Sequence, residues 1–142
     1  DMQHAEIHVH QQEYEAALEP ADGAYFRDDF SGDYRWHFQQ QEYDLVPGVR
    51  AIESPGHTAG HMSMLIELPK GKPILLAGDA ADLQENIDKE IAPGLCWHDR
   101  EDMALNSIRK LKNLSKETGA ILWPNHDMYF YQQCKPFPGY YL

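Results

Sequence analysis

Ser54-Pro55-Gly56-His57-Thr58-Ala59-Gly60-His61 decides how this chain is read, because it sets a histidine on a stiff, glycine-flanked turn directly after a strand. Val49 to Glu53 reads as that strand and Met62 to Leu68 as the next. Pro55 fixes its own φ and biases Ser54 towards extended backbone, while Gly56 and Gly60 reach angles that residues with a Cβ avoid. A turn held this firmly suits a metal ligand, since coordination tolerates little positional error. Taken alone, His57 reads equally well as an ordinary turn histidine.

Two more polar residues share its context. Ile74-Leu75-Leu76-Ala77-Gly78 is a short apolar run that ends in Asp79, and Ala120-Ile121-Leu122-Trp123-Pro124-Asn125 is another that ends in His126. Such runs are consistent with strands buried on both faces. A polar residue closing each run emerges at the sheet rim, where open α/β sheets place their ligands. The expectation is that His57, Asp79 and His126 converge there. Read singly, Asp79 is a helix cap or loop carboxylate and His126 a buried structural histidine.

The rest of the pattern is mixed α/β. Ala5 to His10 alternates and predicts a strand, with a short helix over Glu13 to Leu18. Residues 20–31 carry glycine and aspartates and predict a loop. Tyr34 to Phe38 alternates, placing aromatics where they could line a pocket wall. Met62, Met64, Ile66 and Leu68 alternate with Ser63, Leu65 and Glu67, which suits a half-buried strand. The clearest helix runs from Arg100 to Lys116: Leu105, Ile108, Leu111 and Leu114 form its apolar stripe, and Ala104 widens it. Asp99 is the expected N-cap, Asp102 a short capping-box partner, and Gly119 the C-terminal stop.

Composition narrows the function classes. With 142 residues and 42% hydrophobic content, the chain can build one modest core. A formal net charge of −11 argues against nucleic-acid binding, which needs a basic footprint. Cys96 and Cys134 form no C-x-x-C pair and read as thiols of a reducing compartment, so the expected location is cytoplasmic. No apolar run approaches the ~20 residues that span a bilayer.

In order and approximate spacing, the Ser54–His61 turn, Leu75-Leu76-Ala77-Gly78-Asp79-Ala80 and Trp123-Pro124-Asn125-His126-Asp127 resemble the metallo-β-lactamase superfamily. Gln12 to Leu18, Val46-Pro47-Gly48-Val49 and Gln133 to Pro138 narrow the likeness to the N-acyl-homoserine-lactone hydrolases, the quorum-quenching lactonases. The resemblance implies an αβ/βα sandwich, two mixed sheets packed face to face with helices outside. It implies His57 as a ligand, Asp79 as the aspartate bridging two divalent metal ions (zinc by preference, with iron, cobalt or manganese as options), and His126 as the last histidine ligand. It further implies a hydrolase in which a metal-bridging hydroxide attacks the lactone carbonyl. His61 is implied to hydrogen-bond at the turn rather than to ligate.

Two departures stand out. The family's His-x-His-x-Asp-His signature is missing, since His8-Val9-His10 is followed by Gln11-Gln12-Glu13. The expectation is therefore that residues 1–142 are the C-terminal part of a single metallo-β-lactamase-fold domain. The missing N-terminal segment would be its partner, and activity would be lost without it. A sheet face left uncovered in this way predicts association, including a possible homodimer. The second departure is Asp82, which stands where the lactonases commonly carry a tyrosine that hydrogen-bonds substrate; a carboxylate donates no such bond unless protonated. Tyr129 and Tyr131 are the candidates to replace it. The competing readings are another hydrolase of the superfamily, such as a glyoxalase II-type thioesterase or another lactonase, and a non-catalytic fragment.

Overall fold

The computed structural model describes residues 5–19, 25, 30, 32–135, 139 and 141. Most of the loop expected over residues 20–31 lies outside them. Along the chain run β1 (Glu6–His10), α1 (Gln11–Leu18), β2 (Arg35–Gln39), β3 (Tyr43–Val46), β4 (Val49–Glu53), β5 (Met62–Ile66) and β6 (Ile74–Leu76). α2 (Gln84–Lys89), α3 (Glu101–Thr118), β7 (Ile121–Trp123) and α4 (Met128–Tyr131) follow. Strands β3 to β7 form one sheet in sequence order, antiparallel as far as β6, while β7 lies parallel to β6. A parallel step needs a long crossover, and α2 and α3 supply it. β1 and β2 form a separate parallel pair.

The core lies between the larger sheet and α3. Ile52, Leu65, Leu75, Ala77, Ile87, Leu111 and Ala120 belong to one buried cluster, with Leu114 and Leu122 packed against it. α3 buries Ala104, Ser107, Ile108 and Leu111, and Gly119 ends it in the left-handed region at φ 71°. Its start differs from expectation. Asp99 lies at φ 56° before the helix, and Arg100 is the cap residue, whose side chain makes no capping hydrogen bond. Asp102 is occupied by the Arg100 guanidinium, which donates to its two oxygens at 2.7 and 2.8 Å, so no capping box forms.

Two strands also depart from the sequence reading. β5 turns Ser63 and Leu65 inward and leaves its methionines half-buried. Ser63 is tolerated there because its hydroxyl donates to the Ala77 carbonyl at 2.8 Å and pairs with the Ser54 hydroxyl at 2.7 Å. β6 is buried as expected at Ile74 and Leu75, whereas β7 ends the sheet and leaves Ile121 exposed. An apolar run on an edge strand is covered on fewer sides than its composition suggests.

The two-stranded pair meets the larger sheet through polar contacts. His10 closes β1 and caps α1: its Nδ1 accepts from the Gln12 amide at 3.3 Å, while Nε2 lies 3.1 Å from Glu53 at the end of β4. His8 stacks on Tyr43 of β3. No helix among the described residues is long and apolar enough to cross a membrane.

Candidate metal centre

The turn after β4 is fastened to its surroundings by backbone groups. Ser54 donates its amide to His61 O at 2.9 Å, the Trp97 amide donates to Gly56 O at 2.7 Å, and the Ser107 hydroxyl of α3 donates to Pro55 O at 2.6 Å. Gly56 is required here. Its φ is 145°, and a Cβ on it would collide with the backbone of Ala104 in α3. On this frame the His57 imidazole donates from Nδ1 to the Leu95 carbonyl at 3.2 Å. Its other ring nitrogen, Nε2, lies 3.9 Å from Asp79 Oδ2.

Asp79 occupies a 3₁₀ turn at Gly78–Ala80, just beyond β6. Its backbone amide donates to His61 Nε2 at 3.0 Å, while His61 Nδ1 turns to the Ser54 hydroxyl and carbonyl at 2.9 and 3.2 Å. His61 therefore positions the Asp79 backbone with both ring nitrogens engaged. Burial holds its pKa below the ordinary histidine value, against the opposing pull of Asp79. Gly78 makes room for it: a Cβ there would stand 2.8 Å from His61 Nε2, at φ 57°.

The third group arrives at the end of β7. The Asn125 amide donates to Ala81 O at 3.0 Å and the His126 amide to Asp82 O at 2.8 Å, stitching the two strand-end loops together. His126 Nε2 then lies 3.0 Å from Asp79 Oδ1, and Asn125 Nδ2 donates to the same oxygen at 2.6 Å. Burial alone would raise the Asp79 pKa, but the hydrogen bonds from Asn125 and His126, with the nearby His57 and His61, outweigh it and hold the carboxyl below its usual value.

The structure thus brings His57, Asp79 and His126 to one rim, with a different carboxylate oxygen of Asp79 facing each histidine. Asp82 joins them: one donor atom from each of Asp79, Asp82 and His126 lies within 4.8 Å of the others. Sequence reasoning treated Asp82 only as a missing tyrosine and passed over Asn125; both stand beside residues it had singled out, which was the available signal. Tyr129 and Tyr131 lie exposed on α4. The donors of Asp79, Asp82 and His126, one imidazole nitrogen and carboxylate oxygens, are of the type and mutual distance that a divalent cation takes. His57 stands outside that trio on the other carboxylate oxygen of Asp79, with the Leu95 carbonyl behind its imidazole.

No protein-family profile matches the chain. It is 36% identical over 134 residues to an N-acyl homoserine lactonase from a Bacillus species, covering 94% of this chain and 52% of that protein. It is 35% identical over 143 residues to the N-acyl homoserine lactonase AttM of Azorhizobium caulinodans, covering 94% and 54%. Among solved structures, an N-acyl homoserine lactone hydrolase with the product N-hexanoyl-L-homoserine at its catalytic metal centre superposes with a TM-score of 0.86. The identity there is 32%, over 96% of this chain and 52% of that one. The chain spans about half the length of these relatives.

Proposed function

The chain belongs to the metallo-β-lactamase superfamily as a homologue of the N-acyl homoserine lactonases, and on that premise we propose that it furnishes His57, Asp79 and His126 as metal ligands of a hydrolase opening the lactone ring of N-acyl homoserine lactones. One observation carries this reading: Asp79 stands between the two histidines, presenting Oδ2 to His57 and Oδ1 to His126, so that this carboxylate would be the group common to both halves of a metal site. Imidazole and carboxylate donors suit zinc. When bound, a zinc pair supplies water made acidic enough to ionise near neutral pH and a Lewis acid for the lactone carbonyl.

The chain's own groups set the geometry. Leu95 fixes which nitrogen His57 offers, His61 fixes the Asp79 backbone, and Asn125 orients the Asp79 carboxylate. Asp82 adds negative charge beside His126. These side chains, even with Asp82 beside them, do not complete two zinc shells; on this reading further ligands come from the rest of a longer domain of which this chain is the C-terminal part.

The test is ring opening of N-hexanoyl-homoserine lactone by the whole protein, followed by proton release together with zinc content. Asp79→Asn and His126→Ala should each lower turnover by more than ~100-fold, the upper end of what losing a residue behind a ligand costs, and should lower zinc content with it. A zinc-loaded whole protein that hydrolyses thioesters and leaves lactones intact would replace this reading with a thioesterase. Full activity in Asp79→Asn would remove Asp79 from the centre.

A further inference from the structure

A second donor cluster sits on the β1–β2 pair and shares no residue with the Asp79 rim. In this parallel pair His8 lies opposite His37 and Glu6 opposite Arg35. Residues two apart on a strand face the same side, as do directly opposed residues of neighbouring strands. Glu6, His8 and His37 are therefore set on one face by register alone. One donor atom from each lies within 4.8 Å of the other two, and the two imidazole centroids are 4.6 Å apart.

His8 Nδ1 is shielded from solvent and has no hydrogen-bond partner among the described residues. Burying such an atom unpaired is costly, and a cation held by that nitrogen would satisfy it. Two imidazoles and one carboxylate form a three-ligand set known for zinc, with a fourth position left to water. The group now opposing a cation is Arg35, whose guanidinium lies 3.2 Å from Glu6 Oε1. Both partners are more than half exposed, and an ion pair of that kind contributes little.

We propose that Glu6, His8 and His37 bind one divalent transition-metal ion, which clips β1 to β2 independently of the Asp79 centre.

The experiment uses the full chain with His57, Asp79 and His126 all replaced by alanine, titrated with zinc and analysed for metal after dialysis. One equivalent should be retained, and adding His8→Gln and His37→Gln should weaken binding by more than the ~10-fold that losing a residue behind a ligand costs. Arg35→Gln, which removes the competing cation, should tighten binding; a purely structural role for the histidines would not produce that gain. In the unsubstituted chain, cobalt should shift the His8 and His37 ring proton resonances, which keeps the test valid if the multiple variant fails to fold. The proposal is overturned if the folded triple variant retains no zinc, if the glutamine pair leaves its zinc affinity unchanged, or if cobalt leaves both ring signals in place.

Discussion

The five-stranded sheet with α3 and the β1–β2 pair with α1 are held together by different physics. In the first, the apolar cluster from Ile52 to Ala120 fills the space between strands and helix, and Leu75 and Ile108 are completely buried. In the second, Tyr14, Trp36 and Phe38 form an aromatic group with Tyr14 5.2 Å from Trp36 and 5.0 Å from Phe38, and Phe38 remains 45% exposed. The residues at the Asp79 rim hang from the packed half, where close packing leaves each strand end one position. Among the described residues the aromatic group is only partly covered, with Tyr14 and Trp36 half-buried and Phe38 exposed, so it contributes less stability than the packed core.

Core truncation tests this contrast most strongly. Leu111→Ala should destabilise the chain by about 2–5 kcal/mol, the range for buried leucines, whereas Phe38→Ala should change stability by only ~0.5 kcal/mol. Urea unfolding followed by circular dichroism measures both. Equal losses would mean that the aromatic group is part of the cooperative core.

Gly78→Ala sharpens the claim that the rim depends on the packed half. An alanine at φ 57° costs about 1–2 kcal/mol for the left-handed backbone alone, and its Cβ would also push against His61 Nε2. The expected result is a stability loss of at least that size together with weaker zinc binding at Asp79, because His61 no longer holds the Asp79 amide. Loss of stability with zinc affinity unchanged would show that the carboxylate is placed without His61.

What the sequence disclosed follows the same division. β4, β6 and α3 were legible because continuous apolar runs, the Pro-Gly turn and a helical stripe are local signals that tertiary packing here reinforces. The inward face of β5 was not: Ser63 is buried because Ser54 and Ala77, remote in sequence, satisfy its hydroxyl. Asp99 looked like a helix cap, but Arg100 claims Asp102 and the chain enters α3 from left-handed backbone. At the rim, His57, Asp79 and His126 could be picked out at strand ends, whereas the parts of Asn125 and Asp82 depend on how two loops are stitched. The donor trio Glu6, His8 and His37 exists only through the β1–β2 register, and no local pattern encodes it.

The two regions are also joined, and the joint can be cut. Glu13 of α1 accepts from the Gly60 amide through Oε2 at 2.8 Å, reaching across to the turn that carries His57. A hydrogen bond to a charged group is worth about 1.5–3 kcal/mol, so Glu13→Ala should cost about that much. Hydrogen exchange should then show α1 opening while α3 keeps its protection. Uniform loss of protection would mean the two regions unfold as one unit.

The smallest expected effect lies within the packed half, where Glu90 ties α2 to α3. Its carboxylate accepts from Arg109 Nε at 2.9 Å and from Lys112 Nζ at 3.0 Å. Arg109 first and Lys112 second hold its pKa below the ordinary 4.5. A folded-state value below the unfolded one means that the contribution is fully present above about pH 4.5 and is lost as pH falls through the lower folded value. Glu90→Gln should therefore lower the melting temperature slightly at neutral pH, and the two curves should merge in acid, where the wild-type carboxyl is protonated. Because the group is half-buried and still reached by solvent, added salt should shrink the neutral-pH gap as well. A gap that survives both acid and salt would locate the role of Glu90 in its backbone, which ends α2 at φ 53°, rather than in its charge.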